Sequence, residues 1–264
     1  MIVFCLLLTG ILAGVLGALL GLGGGVIVIP ILTMLFNLPI QTAIGISLVG
    51  VIATSSGAAI VYVREGQADI RLGMTLELGT TVGAVFGAVI AVYVSSQMLY
   101  LLFAAMLLYN TYSMYIKGDK GLVPVAVAAE ALGKGLKTAV YKVKNVPVGL
   151  FLSGVAGIMS GLLGVGGGLI KIPVMYLLMG VPLKTAAATS NFMIGVTATA
   201  SAFIYYLNGK INPVVAVPVA LGVFAGAAVG IWINKRITVE SLKKVFVVVF
   251  LFVAVQMILK GLGS

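Results

Sequence analysis

The sequence has 264 residues, of which 61% are hydrophobic and only 8% charged. A water-soluble domain carries about a quarter charged residues, so lipid must be the solvent for most of this chain. With one cysteine and no histidine, a disulfide within the chain, His/Cys zinc or haem sites and a histidine proton relay are all excluded.

The net charge of +10 would suggest nucleic acid in a soluble protein. Here the lysines and arginines fall mainly in loops, as they do in the cytoplasmic loops of membrane proteins, and no basic patch is interleaved with aromatics. Nucleic acid is therefore not an expected partner; the lipid bilayer is.

The first apolar segment is residues 2–20. It lacks a positively charged start and is too long for a signal peptide, so it reads as a retained membrane segment. "GLGGG" follows at Gly21, then a short apolar run, 26–36, containing Pro30. That run is about half the length needed to cross a bilayer and predicts a half-helix, or one arm of a broken or re-entrant hairpin. Segments 40–63, 72–94 and 98–116 are long enough to span. The connector 117–146 carries Lys117, Lys120, Lys134, Lys137, Lys142 and Lys144 against Asp119 and Glu130. It reads as cytoplasmic, with an amphipathic helix on the membrane surface. Five more apolar segments follow at 147–163, 169–179, 183–206, 213–233 and 242–260.

The second set repeats the first. At an offset of 143 residues, Gly21, Gly23, Gly24 and Gly25 fall on Gly164, Gly166, Gly167 and Gly168. Pro30 and Pro39 fall on Pro173 and Pro182, Ser47 on Ser190, Thr54 on Thr197, and Tyr62 on Tyr205. Prolines and hydroxyls matching in one register mark an internal duplication. The expected organisation is a first transmembrane repeat, 1–116, the basic connector, 117–146, and a second repeat, 147–264. If the connector stays on one side, an odd number of crossings per copy inverts the second repeat relative to the first. The neutral loop "VSSQM" and its basic counterpart "NKRITVESLKK" fit that inversion. The fold class is thus an all-α polytopic membrane protein of two inverted-topology repeats, each a glycine-broken or re-entrant helical hairpin plus three long transmembrane helices. Inverted repeats with broken helices are a pattern of secondary transporters.

Backbone in lipid must satisfy its own hydrogen bonds unless it is buried in protein or lines a watery cavity. The clusters Gly23, Gly24, Gly25 and Gly166, Gly167, Gly168 would free amide N–H groups at the start of a half-helix and so create an anion site from main chain. By contrast, the stripes Gly79/Gly83/Gly87 and Gly222/Gly226/Gly230 are spaced for close helix packing. Lys171 stands where the first copy has Val28. Either it supplies charge to an anionic substrate or it snorkels to water. Ser47, and Thr189, Ser190 and Asn191 in the second copy, could line the cavity, although hydroxyls also bond back to their own helix. Glu77 is the carboxylate inside an apolar segment. It is a proton carrier or, the preferred reading, an interfacial residue paired with Arg71 or Arg64.

Two copies of G-x-G-G-G followed by an apolar run and proline, a "TS" pair at Thr189-Ser190, and "YYLNGKI" from Tyr205 together resemble the sulfite exporter TauE/SafE family of membrane transporters. The likeness covers nearly the whole chain except the connector. It implies movement of sulfite, an organosulfonate or a related organosulfur oxyanion. The family's glycine turns correspond to Gly21–Gly25 and Gly164–Gly168, while Ile46-Ser47 departs from the "TS" pattern and shifts weight to the second copy.

The expected function is secondary transport of such a small anion across the cell membrane by alternating access, in a multi-pass protein without cofactor or metal. The alternatives are an uncoupled anion channel and a cation carrier using Glu77. A membrane enzyme is disfavoured, because the sequence has no metal-ligand cluster and no paired intramembrane carboxylates. A homodimer is compatible with these expectations.

Overall fold

A computed structural model describes residues 2–20, 23–116, 143–234 and 239–263. Among them the chain forms α-helices joined by short turns, with no strand. The connector helix expected on the membrane surface lies in 117–142, outside the described residues, and so does part of the basic loop used for orientation.

The first copy folds as α1 (Ile2–Leu20), α2 (Gly25–Leu35), α3 (Ile40–Arg64), α4 (Ile70–Tyr93) and α5 (Ser96–Ile116). The second gives α6 (Val146–Leu163), α7 (Gly168–Pro173) continued by a π turn (Val174–Leu178), α8 (Leu183–Leu207), α9 (Pro213–Asn234) and α10 (Val239–Leu262). Among the described residues, five helices are long and apolar enough to cross a membrane: α3, α4, α6, α8 and α9. The two short segments are short helices, as their lengths require.

The helix ends follow local chemistry. Asp69 caps α4 by accepting from the Leu72 N–H at 2.9 Å. The short helices end alike: Leu38 N–H donates to the Leu32 carbonyl at 3.2 Å, and Val181 N–H to the Met175 carbonyl at 3.0 Å. In both, the donor sits six residues beyond its acceptor, and the residue before it, Asn37 or Gly180, turns the chain in the left-handed region. Pro173 lacks an N–H, and the π turn begins immediately after it.

The duplication governs packing. The helix α1 lies against α9, and α4 against α6, so each copy's first helix packs on the other copy's fourth. The third helices, α3 and α8, pack on each other, as do the fifth, α5 and α10. The reciprocity extends to atoms. A Cβ on Gly83 would strike the Gly154 carbonyl, and a Cβ on the equivalent Gly226 would strike that of Ile11, the residue equivalent to Gly154. The glycine stripes therefore serve close helix approach, as their spacing predicted. The outward face of α4 carries Met74, Leu78, Val82 and Phe86, all exposed and spaced by four, as lipid contact requires.

Candidate functional site

The two glycine turns meet where α3 and α8 cross. A Cβ on Gly25 would strike the Gly164 carbonyl, and Val51 methyls lie within 3.4 Å of where Cβ atoms on Gly23 and Gly166 would stand. Ser47 Oγ on α3 lies 2.8 Å from the Ile44 carbonyl of its own helix and 3.1 Å from the Gly164 carbonyl in the other copy's turn, with one proton to share between them. Gly24 (φ 80°) and Gly167 (φ 70°) precede α2 and α7 in a left-handed conformation that a side chain would strain. Among the described residues, no acceptor takes the N–H groups of Gly166, Gly167 or Gly168; the first backbone bonds of α7 run from Ile170 and Lys171 to the Gly167 carbonyl. The second turn thus presents unpaired amides inside the protein.

Lys171 is 1% exposed and does not snorkel. Its side chain folds past Gly167, with Cε 3.4 Å from where a Gly167 Cβ would be. Nζ donates to Thr197 Oγ1 at 2.9 Å. Thr197 Oγ1 lies 2.6 Å from Glu77 Oε1 and 3.1 Å from the Met193 carbonyl. With one proton to give, its shorter and charge-assisted partner is Glu77. Thr81 Oγ1 also donates to Glu77 Oε1 at 3.0 Å. Lys171 Nζ and Glu77 Oε2 form an ion pair at 3.6 Å. Glu77 is 7% exposed, and its Oε2 is buried without a hydrogen-bond partner. Glu77 does not pair with Arg71 or Arg64, which are both exposed. Its partner is the lysine of the other copy.

The equivalent place in the first copy is apolar. Val28 is fully buried, and Thr54 Oγ1 reaches the Gly23 carbonyl at 3.2 Å as well as the Val51 carbonyl of its own helix at 3.0 Å. The threonine that braces a turn in one copy joins lysine to carboxylate in the other.

The remaining predicted residues divide. Thr189 accepts from the Asp69 N–H at 2.8 Å and so anchors the start of α4. Asn191 Nδ2 bonds back to the Ala187 carbonyl at 3.0 Å, on its own helix. Ser190 is fully buried with Oγ unpartnered, at the position on α8 that Ser47 holds on α3.

Sequence reasoning missed Ser160. Its Oγ is also buried and unpartnered, and it lines a cavity of about 210 Å³ with Met106, Asn110, Val165, Gly167 and Ile170. The walls are mainly apolar, and Gly167 separates this space from the Lys171 stem. A signal existed, since Ser160 and Ser153 stand where the first copy has Gly17 and Gly10.

The chain matches the family described as "Sulfite exporter TauE/SafE" over residues 6–257. It is 27% identical to "Probable membrane transporter protein YunE" of Bacillus subtilis, over 98% of each chain. It is 29% identical to "Probable membrane transporter protein YdhB" of the same organism, over 87% of this chain and 88% of that one. An archaeal relative, "Probable membrane transporter protein MJ0441" of Methanocaldococcus jannaschii, is 26% identical over 90% of this chain and 88% of its own. No solved structure matches. A match that runs through both copies and all five membrane-length helices identifies a multi-pass membrane protein of the sulfite exporter TauE/SafE family of membrane transporters.

Proposed function

We propose that this protein moves a small oxyanion, of the sulfite or organosulfonate class, across the cell membrane by alternating access, and is not an enzyme. The observation that carries the proposal is the second glycine turn. Three amide N–H groups without acceptors lie beside a fully buried lysine whose stem crosses Gly167. Amides of this kind hold anions through several directed donors, and the lysine supplies the charge that neutral donors lack.

In this reading Gly166–Gly168 and Lys171 hold the anion, Ser160 and Ser190 offer hydroxyl donors, and Gly23–Gly25 form the opposing turn. The reciprocal packing supports two repeats inverted across the membrane, with α3 and α8 as the crossing pair about which the two copies rock.

The test is sulfite flux into liposomes holding the purified protein. Saturable flux with counterflow is expected, and Lys171→Ala should lower it at least tenfold. Flux unchanged in that variant removes Lys171 from the mechanism. Flux that neither saturates nor shows counterflow favours the uncoupled channel.

A further inference from the structure

We infer that the Lys171–Thr197–Glu77 chain couples the anion to a proton, so that one proton and one monovalent anion travel together in the same direction. The inference rests on the anion reading above and adds the coupling ion, the stoichiometry and the electrical character of transport.

The reasoning starts from charge balance at a buried place. Lys171 and Glu77 are paired and both are withdrawn from solvent. Their opposite charges cancel, and an uncompensated charge there would cost several kcal/mol. An anion brought to Lys171 while Glu77 is ionised makes the site net negative, and the anion competes with the carboxylate for one ammonium. A proton on Glu77 removes both obstacles. The carboxyl becomes neutral, Lys171 loses its counter-charge, and the anion replaces it. The empty site (lysine with carboxylate) and the loaded site (lysine with anion, carboxyl protonated) are then both neutral. The half-loaded forms carry a charge and are disfavoured.

The geometry suits this exchange. The pair is not a tight bidentate contact: Glu77 Oε2 is 3.6 Å from Nζ and has no hydrogen-bond partner, although it is buried. That oxygen is the free place for the incoming proton. Glu77 Oε1 already accepts from Thr197 and Thr81, so protonation at Oε2 leaves those bonds intact. Thr197 accepts from Lys171 and donates to Glu77, so its hydroxyl links the two charges.

Among the described residues, no other titratable side chain bonds to the pair. The helix α6 has none in its sequence. On α4 itself Arg71 is exposed, as is Tyr176 on the π turn. On α8 Tyr205 donates to the Gly161 carbonyl at 3.0 Å. On α3, which packs against α8, Arg64 is exposed. The first copy has no counterpart, since Val28 and Ala220 stand at the equivalent positions. One coupling site per chain follows.

The experiment uses the full-length protein in proteoliposomes with a pH-sensitive dye inside. The first probe is isethionate, a sulfonate monoanion that carries no proton of its own. Its entry should acidify the interior by one proton per anion, and a potassium diffusion potential should leave the rate within about twofold. Isethionate flux that moves no proton, or that follows the potential, overturns the coupling and leaves the anion reading standing. Bisulfite at acid pH is the second probe, read through the potential alone, with the same two outcomes. If neither anion moves, the anion reading falls and the coupling falls with it.

Isethionate binding adds a second readout. Wild-type affinity should weaken about tenfold per pH unit above the pH at which Glu77 takes its proton. Glu77→Gln, a neutral mimic of the protonated state, should bind with the same affinity across that range. Wild-type pH dependence retained in Glu77→Gln overturns the role of Glu77. Should that variant fail to fold, the proton count on the wild type still decides.

Discussion

Replacing Lys171 by methionine removes one charge of the buried pair and keeps most of the volume of the stem. At the observed 3.6 Å, Coulomb's law with an effective dielectric of about 20 gives about 4.6 kcal/mol of attraction. Removing one partner of a buried pair costs about 3–5 kcal/mol, because the survivor stays buried and uncompensated. Glu77→Gln should cost a similar amount, since it strands the ammonium. The double variant should recover nearly all of the loss, leaving a neutral glutamine beside an apolar stem. The coupling energy in the double-mutant cycle is therefore expected at about 3 kcal/mol or more, far above the few tenths found for independent sites. The measurement is unfolding of the purified protein in detergent, by heat or denaturant, for the wild type, both single variants and the double. Single losses that simply add in the double variant would show that the two side chains do not act as a pair. The charge-balance reasoning for transport would then lose its footing.

Two further outcomes test the packing. Gly83 and Gly154 lie on facing helices. A Cβ at Gly83 would strike the Gly154 carbonyl, whereas a Cβ at Gly154 would sit 3.6 Å from the Gly79 carbonyl, an ordinary contact. Gly83→Ala should therefore cost about 3 kcal/mol, because backbone cannot rotate away, while Gly154→Ala should be neutral or gain up to about 1 kcal/mol of helix propensity, both read by thermal unfolding. Tyr205 is fully buried and donates to the Gly161 carbonyl. Tyr205→Phe should cost about 1–3 kcal/mol for the stranded acceptor, and an unchanged unfolding midpoint would mean that this bond adds nothing.

Much of the architecture was legible because it is written in covalent constraints. Glycines and prolines repeated in one register required two copies, and a run such as 26–36 is too short to cross a bilayer at 1.5 Å per residue. The glycine stripes announced close packing through their spacing of four, but not that α4 would meet α6 and α1 would meet α9. Pairing between copies depends on which faces meet in space. For the same reason the partner of Glu77 was misjudged. Arg71 is near in sequence, while Lys171 belongs to the other copy and arrives only through the α4–α6 and α7–α8 contacts. Thr189 looked like a cavity residue by its neighbours in sequence, yet its hydroxyl serves the Asp69 N–H across the α3–α4 loop.

Comparing the copies with each other carries more information about the site than either copy alone. Duplicated segments start with equal chemistry, so a polar residue facing an apolar equivalent marks a place where one copy acquired or kept something the other lacks. In the apolar segments such places include Lys171 against Val28, Glu77 against Ala220 and Ser160 against Gly17, while others, such as Thr189 against Ile46, Asn191 against Leu48 and Thr80 against Val223, place their polar atoms on backbone groups. Those first three converge on one turn. Lys171 crosses Gly167, Ser160 Cβ lies 3.3 Å from where a Gly167 Cβ would stand, and Glu77 reaches the lysine from the opposite repeat. Polar groups in an oily interior are costly and do not gather without cause. The first turn, braced by Thr54 on the Gly23 carbonyl and backed by Val28, needs only to hold its shape. The second adds to its glycine amides an ammonium, a carboxylate and a free hydroxyl within one small region. A two-fold scaffold thus supports a one-fold site. In the proposed mechanism the symmetric parts (paired α3 and α8, glycine stripes, matched ends of the short helices) serve a motion that exchanges the two sides of a membrane, and the asymmetric parts select what is carried.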